Sequence, residues 1–132
     1  MSDFYGQFAT GSIPILEKAL AFQEARHTLL ARNIANASTP NYQPVDLDEV
    51  AFQDSLRKAV AARAGSHPRE FRMPEGFREV PEREGQVRHD GNAFNVEREM
   101  TRLADNTMAH DRTVQMLASS FRVMEMAIKG RA

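Results

Sequence analysis

Apolar residues recur at alternating steps of three and four near both ends of this chain. In the first stretch the positions are Ile13, Leu16, Leu20, Gln23, His27, Leu30 and Ile34. That spacing is the seam of a coiled coil, here with two polar residues set into it. It predicts a helix over residues 12–38, with Pro14 in the first turn, where a missing N–H costs nothing. Thr39 precedes Pro40 and is pushed out of the α region, which stops the helix. Thr39-Pro40-Asn41-Tyr42 then predicts a β-turn. Pro40 presets φ at its second position, and Asn41 tolerates positive φ at its third.

The second stretch is longer. Val96, Met100, Leu103, Thr107, His110, Val114, Leu117, Phe121, Met124 and Ile128 keep a strict four-three spacing, and eight of the ten are apolar. They predict a helix over residues 95–130, about 50 Å long at 1.5 Å per residue. Asn95 serves as its cap, Glu97 and Glu99 suit the positive end of its dipole, and Lys129-Gly130 suits its C-terminus.

Between these stretches the pattern weakens. Asp46 and Glu49 have the spacing of a capping box, which predicts a short helix over residues 46–64 with a modest stripe of Phe52, Leu56, Ala59 and Val60. Residues 65–91 hold three of the six prolines and four of the seven glycines, and Phe71, Met73, Phe77, Val80 and Val87 keep no helical period. This segment reads as an irregular or mobile excursion. The fold class is therefore all-α, a single domain over residues 1–132. Its long terminal helices pair as an antiparallel coiled coil. Because the two predicted helices differ in length, part of the longer stripe should remain uncovered, and such a stripe usually marks a partner surface.

Composition removes several function classes. Lys and Arg number 17 against 18 Asp and Glu, for a formal charge of −1. That is not the basic balance of a nucleic-acid binder. There is no cysteine, hence no disulfide, thiol catalysis or cysteine-based metal site. No apolar run reaches the length of a membrane span, about 18 residues. The N-terminal stretch carries Asp3 and no basic segment before an apolar run, so a Sec-type signal peptide is not expected. His27, His67, His89 and His110 show no metal-ligand spacing, and His27 and His110 fall on the seams, where polar residues set register. His89 lies in Val-Arg-His-Asp-Gly, above all a turn signal. No phosphate loop or nucleophile elbow is present. Met100, Met108, Met116, Met124 and Met126 suit either an adaptable surface or core filling. No enzyme, cofactor, metal or small-molecule substrate is expected.

The stretch LLARNIANASTPNYQPVDLDEV resembles the N-terminal motif of bacterial flagellar axial proteins, the rod and hook family. Asn33, Ile34, Ala35, Asn36, Thr39, Pro40 and Tyr42 match that motif position by position. Asn41 stands where the family usually has Gly, a mild departure because Asn also accepts positive φ. Asp90, Gly91, Asn92, Glu97, Arg98, Glu99, Met100, Leu103, Ala104 and Asn106 resemble the proximal-rod members of the family. The middle of the chain matches only loosely.

The resemblance implies a subunit of the basal-body rod that crosses the periplasm and transmits torque. Such subunits are exported through the flagellar type III apparatus without a cleaved signal peptide, and they assemble through their terminal helices. Implied partners are further copies of the chain, rod proteins of the FlgC, FlgF and FlgG type, a FliE-type adaptor and the export gate. The expected assembly residues are Leu16, Leu20, Leu30, Asn33, Ile34, Asn36, Thr39, Pro40, Asn41 and Tyr42 at the N-terminal end. Met100, Leu103, Asn106, Val114, Leu117, Phe121, Met124 and Ile128 are those of the second helix. The alternative is a closed cytosolic coiled-coil adaptor or export chaperone.

Overall fold

The structure, a computed structural model, describes residues 2–63, 71–82 and 95–130, with side chains from residue 11 onward. Its elements are α1 (Ser2–Ala35), β1 (Val45–Leu47), α2 (Glu49–Arg63), β2 (Glu79–Pro81) and α3 (Val96–Lys129). The fold is mostly helical. It is not all-α, because β1 and β2 form a two-stranded antiparallel sheet with Val45 opposite Pro81, Asp46 opposite Val80 and Leu47 opposite Glu79.

Helix α1 begins ten residues before the expected position 12 and ends at Ala35, short of 38. Pro14 therefore lies inside the helix, where its ring offers no N–H to the carbonyl four residues back. The next carbonyl, that of Gly11, accepts from Arg63 Nη1, which ties the end of α2 to α1. At the other end, Asn36 and Ala37 still donate backwards to Arg32 and Ile34, but the geometry has already become that of turns.

α1 and α3 each have 34 residues, so the expected overhang of a longer helix does not exist. The two run antiparallel: Glu99, near the start of α3, meets Asn33, near the end of α1, whereas Asn106 and His110 meet Gln23 and Glu24. Asn95 caps α3 as expected, its side chain accepting from the Arg98 N–H at 3.2 Å. At the C-terminus the Gly130 N–H bonds to Met126 O at 2.8 Å, with Gly130 in a right-handed conformation.

The short helix is α2, and its cap is Asp48 rather than Asp46: Asp48 Oδ1 accepts from the Ala51 N–H at 2.9 Å. Asp46 lies on β1, and its carboxylate receives Arg26 of α1 through two bonds of 2.9 Å. A fork-on-carboxylate pair of this kind fixes both orientation and distance.

The expected irregular excursion over residues 65–91 is ordered where it is described. Phe77 packs edge-on against Phe22 and Phe52, with ring centres 5.3 and 5.7 Å away, and Phe22 stacks on Phe52 at 4.2 Å. This aromatic cluster joins Leu29 and Leu47 in the core, flanked by Ala25 and Val45. Residues 65–70 and 83–91 of that excursion lie outside the described residues, as do His67 and His89. Among the described residues no helix is long and apolar enough to cross a membrane.

Candidate functional site

The residues expected to act in assembly lie along α1, in the turn that follows it and along α3.

At the end of α1 the two asparagines do different work. Asn33 is fully buried, at 0% exposure. Its amide nitrogen donates to the Val45 carbonyl at 2.8 Å and to Glu99 Oε2 at 3.0 Å. Its carbonyl oxygen accepts from the Tyr42 hydroxyl at 2.8 Å and the Val45 N–H at 3.3 Å. An asparagine side chain has two donors and two acceptor lone pairs, and here all four are used. One side chain thus ties α1, the turn, β1 and α3 together. Asn36 instead closes its own helix. Its nitrogen donates to Arg32 O at 2.8 Å, and its oxygen accepts from the Thr39 hydroxyl at 3.2 Å.

The turn has the form its residues predict. The Tyr42 N–H bonds back to Thr39 O at 3.3 Å, and Asn41 takes φ 60°. Positive φ at the third position after a proline is the type II geometry. Thr39, Pro40 and Asn41 are exposed at the apex, while Asn36 and Tyr42 are half-buried. Along α1, Leu30 is fully buried, and Leu16, Leu20 and Ile34 are half-buried. His27 is exposed, so it is not the enclosed register residue that its seam position implied. With Glu24, Thr28, Asn106, Thr107 and His110 it borders an open cleft of about 350 Å³ between the helices. No group of three His, Asp or Glu among the described residues is placed to hold a metal.

On α3 the four-three reading divides into two sets. Leu103, His110, Leu117 and Met124 are half-buried. Met100, Thr107, Val114, Phe121 and Ile128 are exposed. The stripe facing α1 completes its heptads one residue earlier, with Glu99, Asn106 and Thr113 buried and Ser120 and Ala127 half-buried. One residue is a rotation of about 100° around a helix of 3.6 residues per turn. This stripe was not read as the seam because it is mostly polar. Its buried members are tolerated there because each has a partner: Glu99 accepts from Asn33, Asn106 donates to Gln23 O at 2.8 Å, and the Thr113 hydroxyl donates to Ala109 O at 3.0 Å. The apolar row is left at the side. Phe121 is 43% exposed and Ile128 67%.

Glu99, expected in the first turn of α3 for its charge on the helix dipole, is 1% exposed. Besides Asn33 it meets Arg102 Nη1 at 3.1 Å. The same guanidinium nitrogen reaches Glu82, just after β2. Burial, then the neighbouring Glu99 through its bond and its charge, push the Glu82 carboxyl up to about 7, against the pull of Arg102. Across the core, burial opposes the charge of Arg26, but Asp46, Glu49 and Glu99 outweigh it and hold that guanidinium above its ordinary value.

No protein-family model matches the sequence. Individual relatives do. The chain is 30% identical over 120 residues to the flagellar basal body rod protein FlgB of Aquifex aeolicus (strain VF5), covering 91% of this chain and 94% of that one. It is 31% identical over 121 residues to the Escherichia coli (strain K12) protein of the same name, covering 82% and 86%. Against the one from Bacillus subtilis (strain 168) it is 26% identical over 123 residues, covering 92% and 95%.

Proposed function

The chain belongs to the family of the flagellar basal body rod protein FlgB, and on that premise we propose that its work is structural, as a subunit of the basal-body rod. The observation that carries the mechanism is the exposed side row of α3: Met100, Val114, Phe121 and Ile128, with Thr107 between. Helix α3 covers its polar stripe against α1 and leaves an apolar row for something else. A patch of this kind, contacting a different surface on a neighbour, repeats by rotation and rise into an open helical assembly. The terminal helices of adjacent subunits then pack as coiled coils along that row. The chain joins the proximal end of the rod, beside copies of itself, rod proteins of the FlgC, FlgF and FlgG type and a FliE-type adaptor. It reaches the periplasm through the flagellar export gate.

The end of α1 has the complementary task. The Asn33 hub fixes the direction in which the chain leaves the helix, and the Thr39–Tyr42 turn presents an exposed apex of constant shape. Its contribution is to hold α1 and α3 in one relative position while neighbours bind.

Phe121→Asp separates assembly from folding. Phe121 is exposed in the single chain, so the variant should keep the parent's circular dichroism and melting temperature. At a packed interface between subunits its unpaired carboxylate would cost several kcal/mol, and cells carrying it should not swim. A swimming Phe121→Asp strain would remove this row from the assembly surface.

A further inference from the structure

Glu82, Glu99 and Arg102 are not accounted for by rod assembly. Two carboxylates, 7% and 1% exposed in their side chains, share one guanidinium that is 24% exposed. Among the described residues the count is two negative charges to one positive in a largely buried site, and a carboxylate buried without full compensation takes up a proton. Arg26 does not make up the difference. Its Nε and Nη2 are engaged by Asp46, and its Nη1 lies 3.5 Å from Glu49. Asn33 donates to Glu99 but brings no charge.

The position of the cluster gives it leverage. A ladder of two three-residue strands is marginal without support. Glu82 stands at its end, with its N–H on the Pro44 carbonyl at 3.0 Å, and its side chain meets Arg102 on α3. We propose that Glu82, Glu99 and Arg102 form a proton-operated latch: a protonated Glu82 side chain, set against the guanidinium that it shares with Glu99, holds β2 on α3, and loss of that proton loosens the β1–β2 ladder from the helical pair. The described charged groups facing the pair are Arg102 of α3 and, farther off, Arg26 of α1 with its partners Asp46 of β1 and Glu49 of α2.

The direction of the pH effect follows from the raised Glu82 carboxyl. The folded chain keeps that proton up to about pH 7, while the unfolded chain releases it near the ordinary glutamate value, about 4.3. Between the two, the folded state binds more protons. The latch therefore weakens as pH rises through this window and stays weak above it.

The test is a titration of the full chain, following the glutamate side-chain carboxyl carbons and the exchange of the Asp48 and Glu82 amides, which bond to Arg78 O and Pro44 O. The Glu82 carboxyl should titrate near pH 7. After correction for intrinsic exchange, opening at those two amides should rise about tenfold or more between pH 5.5 and pH 8, since one unit of pKa difference is a factor of ten. Glu82→Gln, which mimics the protonated acid, should abolish the titration and leave opening flat with pH. The proposal is overturned if the Glu82 carboxyl titrates below pH 5, or if Glu82→Gln opens the ladder more than the parent does at pH 8.

Discussion

Replacing Asn33 with leucine keeps the side chain's approximate volume and removes its amide. Four hydrogen bonds go at once. Their partners are not equally harmed. The half-buried Tyr42 hydroxyl can turn to water. The Glu99 carboxylate is buried, and the Val45 peptide loses a partner on both sides. Leaving a buried polar group unsatisfied costs about 1–3 kcal/mol, and more when it is charged. Three such groups give roughly 3–9 kcal/mol by that scale, a large share of the 5–15 kcal/mol that holds a typical domain. Urea denaturation followed by circular dichroism measures it as a fall in midpoint at unchanged slope. Asn36→Leu is the internal control. Its amide caps Arg32 O on the exposed side of the helix end, where water can replace it, so the loss should be about 1 kcal/mol. The reasoning fails if Asn33→Leu costs no more than Asn36→Leu.

Asn41 tests the turn. Asn41→Gly should be neutral or mildly stabilising, and Asn41→Val should lose roughly 1–3 kcal/mol because a β-branched residue resists the observed φ of 60°; thermal melts of the two variants should move apart. Phe77→Ala should cost about 2–4 kcal/mol, somewhat below a fully buried phenylalanine, and should also raise the fluorescence of a hydrophobic dye by uncovering Phe22 and Phe52. Arg26→Met leaves the half-buried Asp46 without its fork, and its stability should drop by about 1–3 kcal/mol at pH 7. A denaturation midpoint equal to the parent's would show the pair to be an ornament of the surface.

Local features were legible in the sequence, and long-range ones were not. The Asn95 cap, the Pro40–Asn41 turn and the helical character of residues 96–129 depend on neighbours within four positions, which the chain states directly. The start of α1 was hidden because Gly6, Gly11 and Pro14 all argue against a helix. A neighbouring helix of equal length overrides that propensity. Strands of three residues, Val45–Leu47 and Glu79–Pro81, are too short for alternation to register. The Asn33–Glu99 contact spans 66 positions, and no spacing rule reaches so far. A glutamate next to an apolar seam looks solvated until the buried amide and guanidinium facing it are known. The division of α3 into a covered polar stripe and an open apolar row had the same cause. Periodicity identifies the apolar face, and tertiary packing decides which face the chain itself covers.

The central claim is that this chain is built into the rod through the outer row of α3. The most direct test is quantitative mass spectrometry of basal bodies purified from its own host, comparing the parent with Phe121→Asp. The account predicts several copies of the parent chain per basal body, present at a fixed ratio to the other rod proteins. It predicts their loss in the variant, with the folded protein still detectable elsewhere. A parent chain found in the cytosolic fraction and missing from washed basal bodies would contradict the account and favour the adaptor or chaperone reading.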